Sequence, residues 1–331
     1  MCGIFGYVGK RTASPILLEG LRTLEYRGYD SAGMYVPGHK PVKAVGPIDN
    51  LAQKLTTSLS GTAGIAHTRW ATHGAPTELN AHPHLDMSGQ IALVHNGIIE
   101  NYRELKEGLV MQGITFDTDT DTEVLTKLIG SQYRGNLLQA VRSALQLVRG
   151  TYGILVMSSR NPHEIVTARF GSPVVLGLAA DGNLISSDPS ALLVHTKDVI
   201  YLDDGECAVL TSDSYEIMTI GGKKRTKSPE KVLWDVESVQ KQGYDHFMLK
   251  EIFEAPEVIE NTIRGRLLVE QGRAKLGGLE GVLDRLVQLD RLMIVGCGSA
   301  YYAGLVGRYM LEEYAGVPTE VELGSEYRYK R

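Results

Sequence analysis

Cys2 follows the initiator methionine directly and stands before Gly3 and an alternating apolar run, in "MCGIFGYVGK". A small residue at position 2 permits removal of the methionine, and removal leaves one residue carrying both a thiol and a free α-amine. An α-amine titrates near pH 8, so at neutral pH part of the population is uncharged and able to take the thiol proton. That pair is an activated nucleophile. The plainer reading is a cysteine buried at the start of a first strand, since free cysteines are mostly inert core residues. Position alone leaves both readings open.

Four further stretches are unusually polar for places where strands end: "LEYRGYDSAG" (24–33), "HTRWATHG" (67–74), "HNGIIEN" (95–101) and "DTDTDTEV" (117–124). Arg27 and Asp30 also fit an ion pair at a helix C-terminus. The alternating aspartates imitate the start of a calcium loop, but Thr122 stands at the glycine place and Leu128 at the bidentate glutamate place. His67, His73, His82, His84 and His95 fit neither a helical HxxxH nor a finger spacing, so no metal is expected. Near the C-terminus, "IVGCGSAYYAG" places Gly296 and Gly298 after an apolar run. Tyr301 occupies the third position of a GxGxxG pattern, which weakens a dinucleotide reading. A strand, a glycine turn and a helix N-terminus still make a phosphate cradle. Cys297 in that stretch reads as a packing residue.

The length of the chain suggests about two domains to hold these groups. The chain has 331 residues, 34 basic and 39 acidic, for a net charge of −5 with no basic block, which argues against a nucleic-acid partner. Its apolar stretches are strand-sized, well short of the roughly 20 residues of a membrane span. Cys2, Cys207 and Cys297 are too scattered for a disulfide framework or a CxxC site. With no signal peptide before Cys2, a cytoplasmic location is expected.

"GIFGYV" predicts a strand and "SPILLEGLRTLEYRG" a helix with Ser14 as N-cap and Gly28 near its stop. "TAGIAHTRW" and "QIALVHNG" read as buried strands ending in polar residues. "NLLQAVRSALQLVRG" has helical spacing, and "GTYGILVMSS", "HEIVTARF", "SPVVLGLA", "VIYLDDGE" and "YEIMTI" form a run of strands. Grouped rather than alternating elements favour layered sheets flanked by helices. "GGKKRTKSPEK" (221–231) reads as a linker. Beyond it comes a long helical segment interrupted by Pro256, then about one βαβ unit, which reads as the start of a second domain.

Together, "MCGIFGYVG", "LEYRGYDSAG", "HTRWATHG", "NAHPH" and "HNG" resemble the glutaminase domain of the glutamine–fructose-6-phosphate aminotransferase family. The resemblance continues through "MLKEIFEAPEVIENT" into "CGSAYYAG" and "SEYRYKR", which are similar to the opening of that family's sugar-isomerase domain. It implies an N-terminal nucleophile hydrolase fold, a four-layer α/β/β/α sandwich. The glutaminase domain would cover 2–220, a linker 221–244 and an incomplete α/β sugar-isomerase domain 245–331. It implies that Cys2 attacks the side-chain amide of glutamine to give a glutamyl thioester and ammonia. Asn96 and the Gly97 N–H match the oxyanion hole, and Arg27 supports the nucleophile. Arg69 matches the residue that forks the substrate α-carboxylate, and Asp121 the one that holds its α-ammonium. Trp70, Thr72 and His73 lie on the loop that closes over glutamine, and His82 falls at the face between domains. Gly298 and Ser299 belong to a partial sugar-phosphate site, where Ala300 departs from the hydroxyl residue many members carry.

The complete enzyme would make glucosamine 6-phosphate from fructose 6-phosphate and glutamine without a cofactor, as a homo-oligomer. This chain alone is expected to be a glutaminase. The rival readings are another class II amidotransferase and an inactive, truncated sugar-phosphate-binding or regulatory module.

Overall fold

Strand alternation sets the layering. In β1 (Gly3–Gly9), Phe5 and Tyr7 project to one face and Ile4 and Val8 to the other, and all four are buried. A strand with two buried faces belongs inside a stack of layers, where each such side chain contributes roughly 1.5–3 kcal/mol of transfer free energy. The computed structural model describes residues 2–55, 58–71, 74–232 and 244–330, so Thr72 and His73 lie outside the described residues. The chain divides into two units between residues 242 and 243.

In the first unit, β1 is followed by α1 (Ala13–Leu24), β2 (Ser31–Tyr35), β3 (Val42–Val45), α2 (Ile48–Lys54) and β4 (Ala63–Arg69). Then come β5 (His84–Leu85), β6 (Ile91–Ile99), α3 (Tyr102–Val110), α4 (Asp121–Gln132) and α5 (Leu137–Leu145). The strand run is β7 (Gly150–Ser158), β8 (Asn161–Phe170), β9 (Val175–Ala179), β10 (Gly182–Ser186), β11 (Asp198–Tyr201), β12 (Glu206–Leu210) and β13 (Tyr215–Thr219). Two short strands, β14 (Lys224–Arg225) and β15 (Glu230–Lys231), complete it. One sheet has the order β15-β11-β9-β10-β1-β4-β2-β3 and the other β14-β13-β12-β8-β7-β6-β5. Ile4, Val8, Ile65, Val94, Leu155 and Ile185 pack between the sheets. Phe5 and Tyr7 join Leu17, Leu21 and Leu24 of α1 on one outer side, while Leu93 and Ile154 join Leu125 and Val141 of α4 and α5 on the other. The four-layer α/β/β/α sandwich is the observed architecture.

Local departures from the sequence reading have physical causes. Helix α1 begins at Ala13 with Thr12 at the N-cap position, and Ser14 instead donates its hydroxyl to the Leu59 carbonyl at 3.3 Å. The stretch 221–231, read as linker, contributes β14 and β15 to the two sheet edges. Its anchor is Lys227, whose Nζ lies 2.7 Å from both Asp203 and Glu206 and donates to the Tyr201 carbonyl at 2.9 Å. A lysine that neutralises a buried glutamate is held rather than solvated.

The second unit contains a helix, Phe247–Ile263, that runs through Pro256 rather than breaking there. Proline there lacks the N–H that would have bonded the Ile252 carbonyl, and its ring crowds that carbonyl, yet the helix resumes beyond it. Strands Leu292–Gly296 and Thr319–Leu323 pair in parallel, joined by the helix Ser299–Met310. Cys297, read as a packing residue, is exposed. It lies in the turn between strand and helix, outside the apolar contact of Gly304 with Ile294.

Candidate active site

The register of the first sheet assembles the site. β1 pairs antiparallel with β4, Gly3 opposite Thr68, so the chain before Gly3 runs beside Arg69 and Trp70. There the Trp70 N–H donates to the Cys2 Sγ at 3.2 Å. On its other side β1 pairs with β10, Phe5 opposite Ser186, and that pairing continues as Ile4 N–H donates to Ser187 Oγ at 3.0 Å. Gly28 lets the backbone pass close behind: a Cβ there would stand 2.9 Å from the Trp70 nitrogen.

Cys2 is held by its carbonyl. Cys2 O accepts from Asn96 Nδ2 at 3.1 Å and from Arg27 Nε at 3.2 Å. Burial pushes the Cys2 thiol up from its ordinary value, against the Trp70 N–H and the charges of Arg69 and Arg27, which pull it down. Cys207 is buried in the second sheet's core and pushed up to about 11 by burial, which leaves it an unreactive thiol.

Asn96 and Gly97 come from β6 in the facing sheet. Gly97 has φ +129°, and a Cβ there would meet the Thr151 carbonyl at 2.1 Å, so only glycine fits. Asp121 opens α4 just after its N-cap Thr120, and its Oδ2 accepts the Ile99 N–H at 2.8 Å. Arg69 is buried at the end of β4, with Nη2 donating to the Gly74 carbonyl and Nη1 to the Ala75 carbonyl, each at 3.2 Å. Burial lowers the Arg69 pKa, opposed by the neighbouring Cys2, Asp121 and Asp30. A cavity of about 20 Å³, the room of a single water, lies among Cys2, Arg69, His95, Gly97 and Asp121. Trp70 is half exposed above it and meets Tyr29 edge to face.

The structure therefore brings Cys2, Arg27, Arg69, Trp70, Asn96, Gly97 and Asp121 to one place. Gly298 and Ser299 lie in the second unit, where Gly298 at φ +57° precedes the helix beginning at Ser299.

Arg27 pairs with Asp188 rather than with Asp30, which instead accepts the Ala71 N–H at 2.8 Å and ties down the chain after Arg69. Asp188 carries no signal of its own beyond "SSDPS", an N-cap aspartate before proline. His82, which the resemblance puts at the face between domains, has its ring buried beside those of His67 and His84, at centroid distances of 4.1 and 5.0 Å. Burial lowers the pKa of all three rings, His67 to about 3. "DTDTDTEV" builds a helix start: Thr120 Oγ1 accepts the Glu123 N–H, and the Glu123 carboxylate accepts from the Asp117 and Thr118 N–H groups. The Thr-x-x-Glu spacing of a capping box was the available signal.

Residues 52–216 match the glutamine amidotransferase domain family. Over its whole length the chain is 51% identical to the glutamine–fructose-6-phosphate aminotransferase (isomerizing) of Chlorobaculum tepidum, covering 55% of that protein. It is 51% identical to an enzyme of the same name from Thermus thermophilus, of which it covers 54%. The chain thus spans about half the length of the curated relatives it matches. Among solved structures, glutamine phosphoribosylpyrophosphate amidotransferase from B. subtilis aligns over 97% of this chain and 65% of its own, with a TM-score of 0.60 at 22% identity, a likeness of fold.

Proposed function

We propose, from the premise that this chain belongs to the glutamine–fructose-6-phosphate aminotransferase family of glutamine amidotransferases, that its first unit hydrolyses glutamine through Cys2. Removal of Met1 frees the α-amine, which takes the thiol proton as Sγ attacks the side-chain amide carbon. The charge that develops on the amide oxygen is met by the second N–H of Asn96 Nδ2 and by the Gly97 N–H. The proton then passes to the departing nitrogen, which leaves as ammonia. Water, activated by the same amine, cleaves the thioester to glutamate and returns the thiol.

Arg69 forks the substrate α-carboxylate and Asp121 holds the α-ammonium. Glutamine does not fit the present cavity, so binding exchanges the Gly74 and Ala75 carbonyls on Arg69 for the carboxylate and moves the indole of Trp70. Arg27 holds the nucleophile's backbone. In a complete enzyme the ammonia goes to fructose 6-phosphate, with the Gly298 and Ser299 turn as one wall of the sugar-phosphate site.

The observation that carries this reading is the Asn96 side chain bonded to the Cys2 carbonyl, which sets an oxyanion donor beside the thiol. A diazoketone analogue of glutamine tests it: mass spectrometry should find the label on Cys2 and not on buried Cys207 or exposed Cys297. Label elsewhere, or glutamate release unchanged in Cys2→Ala, would overturn the reading. The chain should release glutamate without forming glucosamine 6-phosphate.

A further inference from the structure

We propose that His67 is the positioning residue for the oxyanion donor, fixing which way the Asn96 side-chain amide faces. The inference rests on the reading of Asn96 given above. His67 is fully buried in β4, and its Nε2 lies 3.0 Å from the His95 carbonyl oxygen and 3.1 Å from Asn96 Oδ1. A carbonyl oxygen only accepts, so Nε2 carries the hydrogen and donates to both. Nδ1, on the far side of the ring, is buried with no hydrogen-bond partner. A second proton there would find no acceptor, and His67 stays a neutral donor, in line with its low pKa of about 3.

The amide torsion of asparagine is roughly two-fold and offers little resistance to a half turn. Its surroundings decide. With Oδ1 engaged by His67, Nδ2 faces Cys2 and donates to its carbonyl at 3.1 Å. Turned over, the amide would set its NH₂ against the His67 N–H and its oxygen against the Cys2 carbonyl, two repulsive contacts. His67 thereby keeps N–H hydrogens beside the thiol, where the developing charge needs them.

The test is glutamine hydrolysis by the full chain with Met1 removed. His67→Leu, which has no donor, should lower kcat about 10-fold or more with KM within about twofold. His67→Gln, whose amide nitrogen reaches the place of the ring Nε2, should recover most of that loss. His67→Asn, whose amide is too short, should not. In an Asn96→Ala background either poor variant should cost less than about twofold, since there is no amide left to orient. Circular dichroism checks folding, and the polar His67→Asn carries the cycle if His67→Leu does not fold. Equal penalties in both backgrounds, or a Gln variant as impaired as the Asn variant, would overturn this inference and leave the glutaminase reading intact. Absent glutaminase activity in the parent chain, or an unchanged kcat in Asn96→Ala, would overturn both.

Discussion

Arg27 and Asp188, 161 residues apart in the chain, meet in a 2.7 Å charge-assisted hydrogen bond, and the same arginine donates to the Cys2 carbonyl through Nε. Asp188 also accepts from the Tyr26 hydroxyl at 2.8 Å and the Ser190 N–H at 2.9 Å. Cys2 is thus tied through Arg27 to the segment that follows β10, a neighbour of β1 in its sheet.

Asp188→Ala should lower stability by about 1–3 kcal/mol, discounted from a fully buried pair because both side chains keep some solvent contact. Burial alone would raise the Asp188 pKa, but the Ser190, Tyr26 and Arg27 interactions together hold it below its ordinary value. A depressed folded pKa means stability present above the unfolded value near 3.9 and lost as pH falls through the folded one. Denaturant titrations of parent and variant should therefore differ at pH 7 and converge as the pH is taken below about 4. An undiminished gap in acid would remove the ion pair as its cause.

Arg69→Ala and Asp121→Ala should each cost about 2–5 kcal/mol in kcat/KM for glutamine, because a desolvated substrate charge is left unmatched. Asp121 also receives the Ile99 N–H, so Asp121→Asn is the sharper variant: it keeps an acceptor for that N–H while losing the charge. Steady-state kinetics on Asp121→Asn with unchanged kcat/KM would leave the aspartate a purely structural cap.

Gly97→Ala should be more damaging than its size implies. The new methyl would press on the Thr151 carbonyl at a φ that alanine disfavours, which shifts the β6–β7 ladder under Asn96. A fall of about 2 kcal/mol or more in unfolding free energy, with loss of glutaminase activity, is expected. A variant that kept the parent melting temperature would contradict the geometry.

Retention of Met1 should nearly abolish turnover, since the proposed base is the Cys2 α-amine. Intact mass and glutamate release, measured on the same preparation, relate the two directly. Full activity in a Met1-retaining sample would rule that base out.

Residue types carried much of this. Arg69 and the Asn96-Gly97 pair stand in stretches too polar for core, Cys2 is marked by its place directly behind Met1, and β1's alternation announces two buried faces. Asp188 was hidden because its place depends on β10 lying next to β1, a pairing of strands far apart in sequence that local pattern cannot supply. His67 was hidden differently: its position at a strand end was legible, but the direction of its donated hydrogen follows from two oxygens that only the fold brings together. Lys227 sat in a stretch whose composition matches a solvated linker, and only the nearby Glu206 makes it an anchor.

The close backbone passages at Gly28 and Gly97 also bear on how such a site can evolve. Main chain meets main chain there, so neither position can drift without moving the chain at Trp70 or the β6–β7 ladder that carries Asn96. Trp70 is different, because it touches Cys2 through its backbone N–H while its side chain stands half in solvent. A saturation library should return almost nothing but glycine at 28 and 97, whereas replacements at position 70 should keep the backbone contact to Cys2 and change only what stands over the pocket.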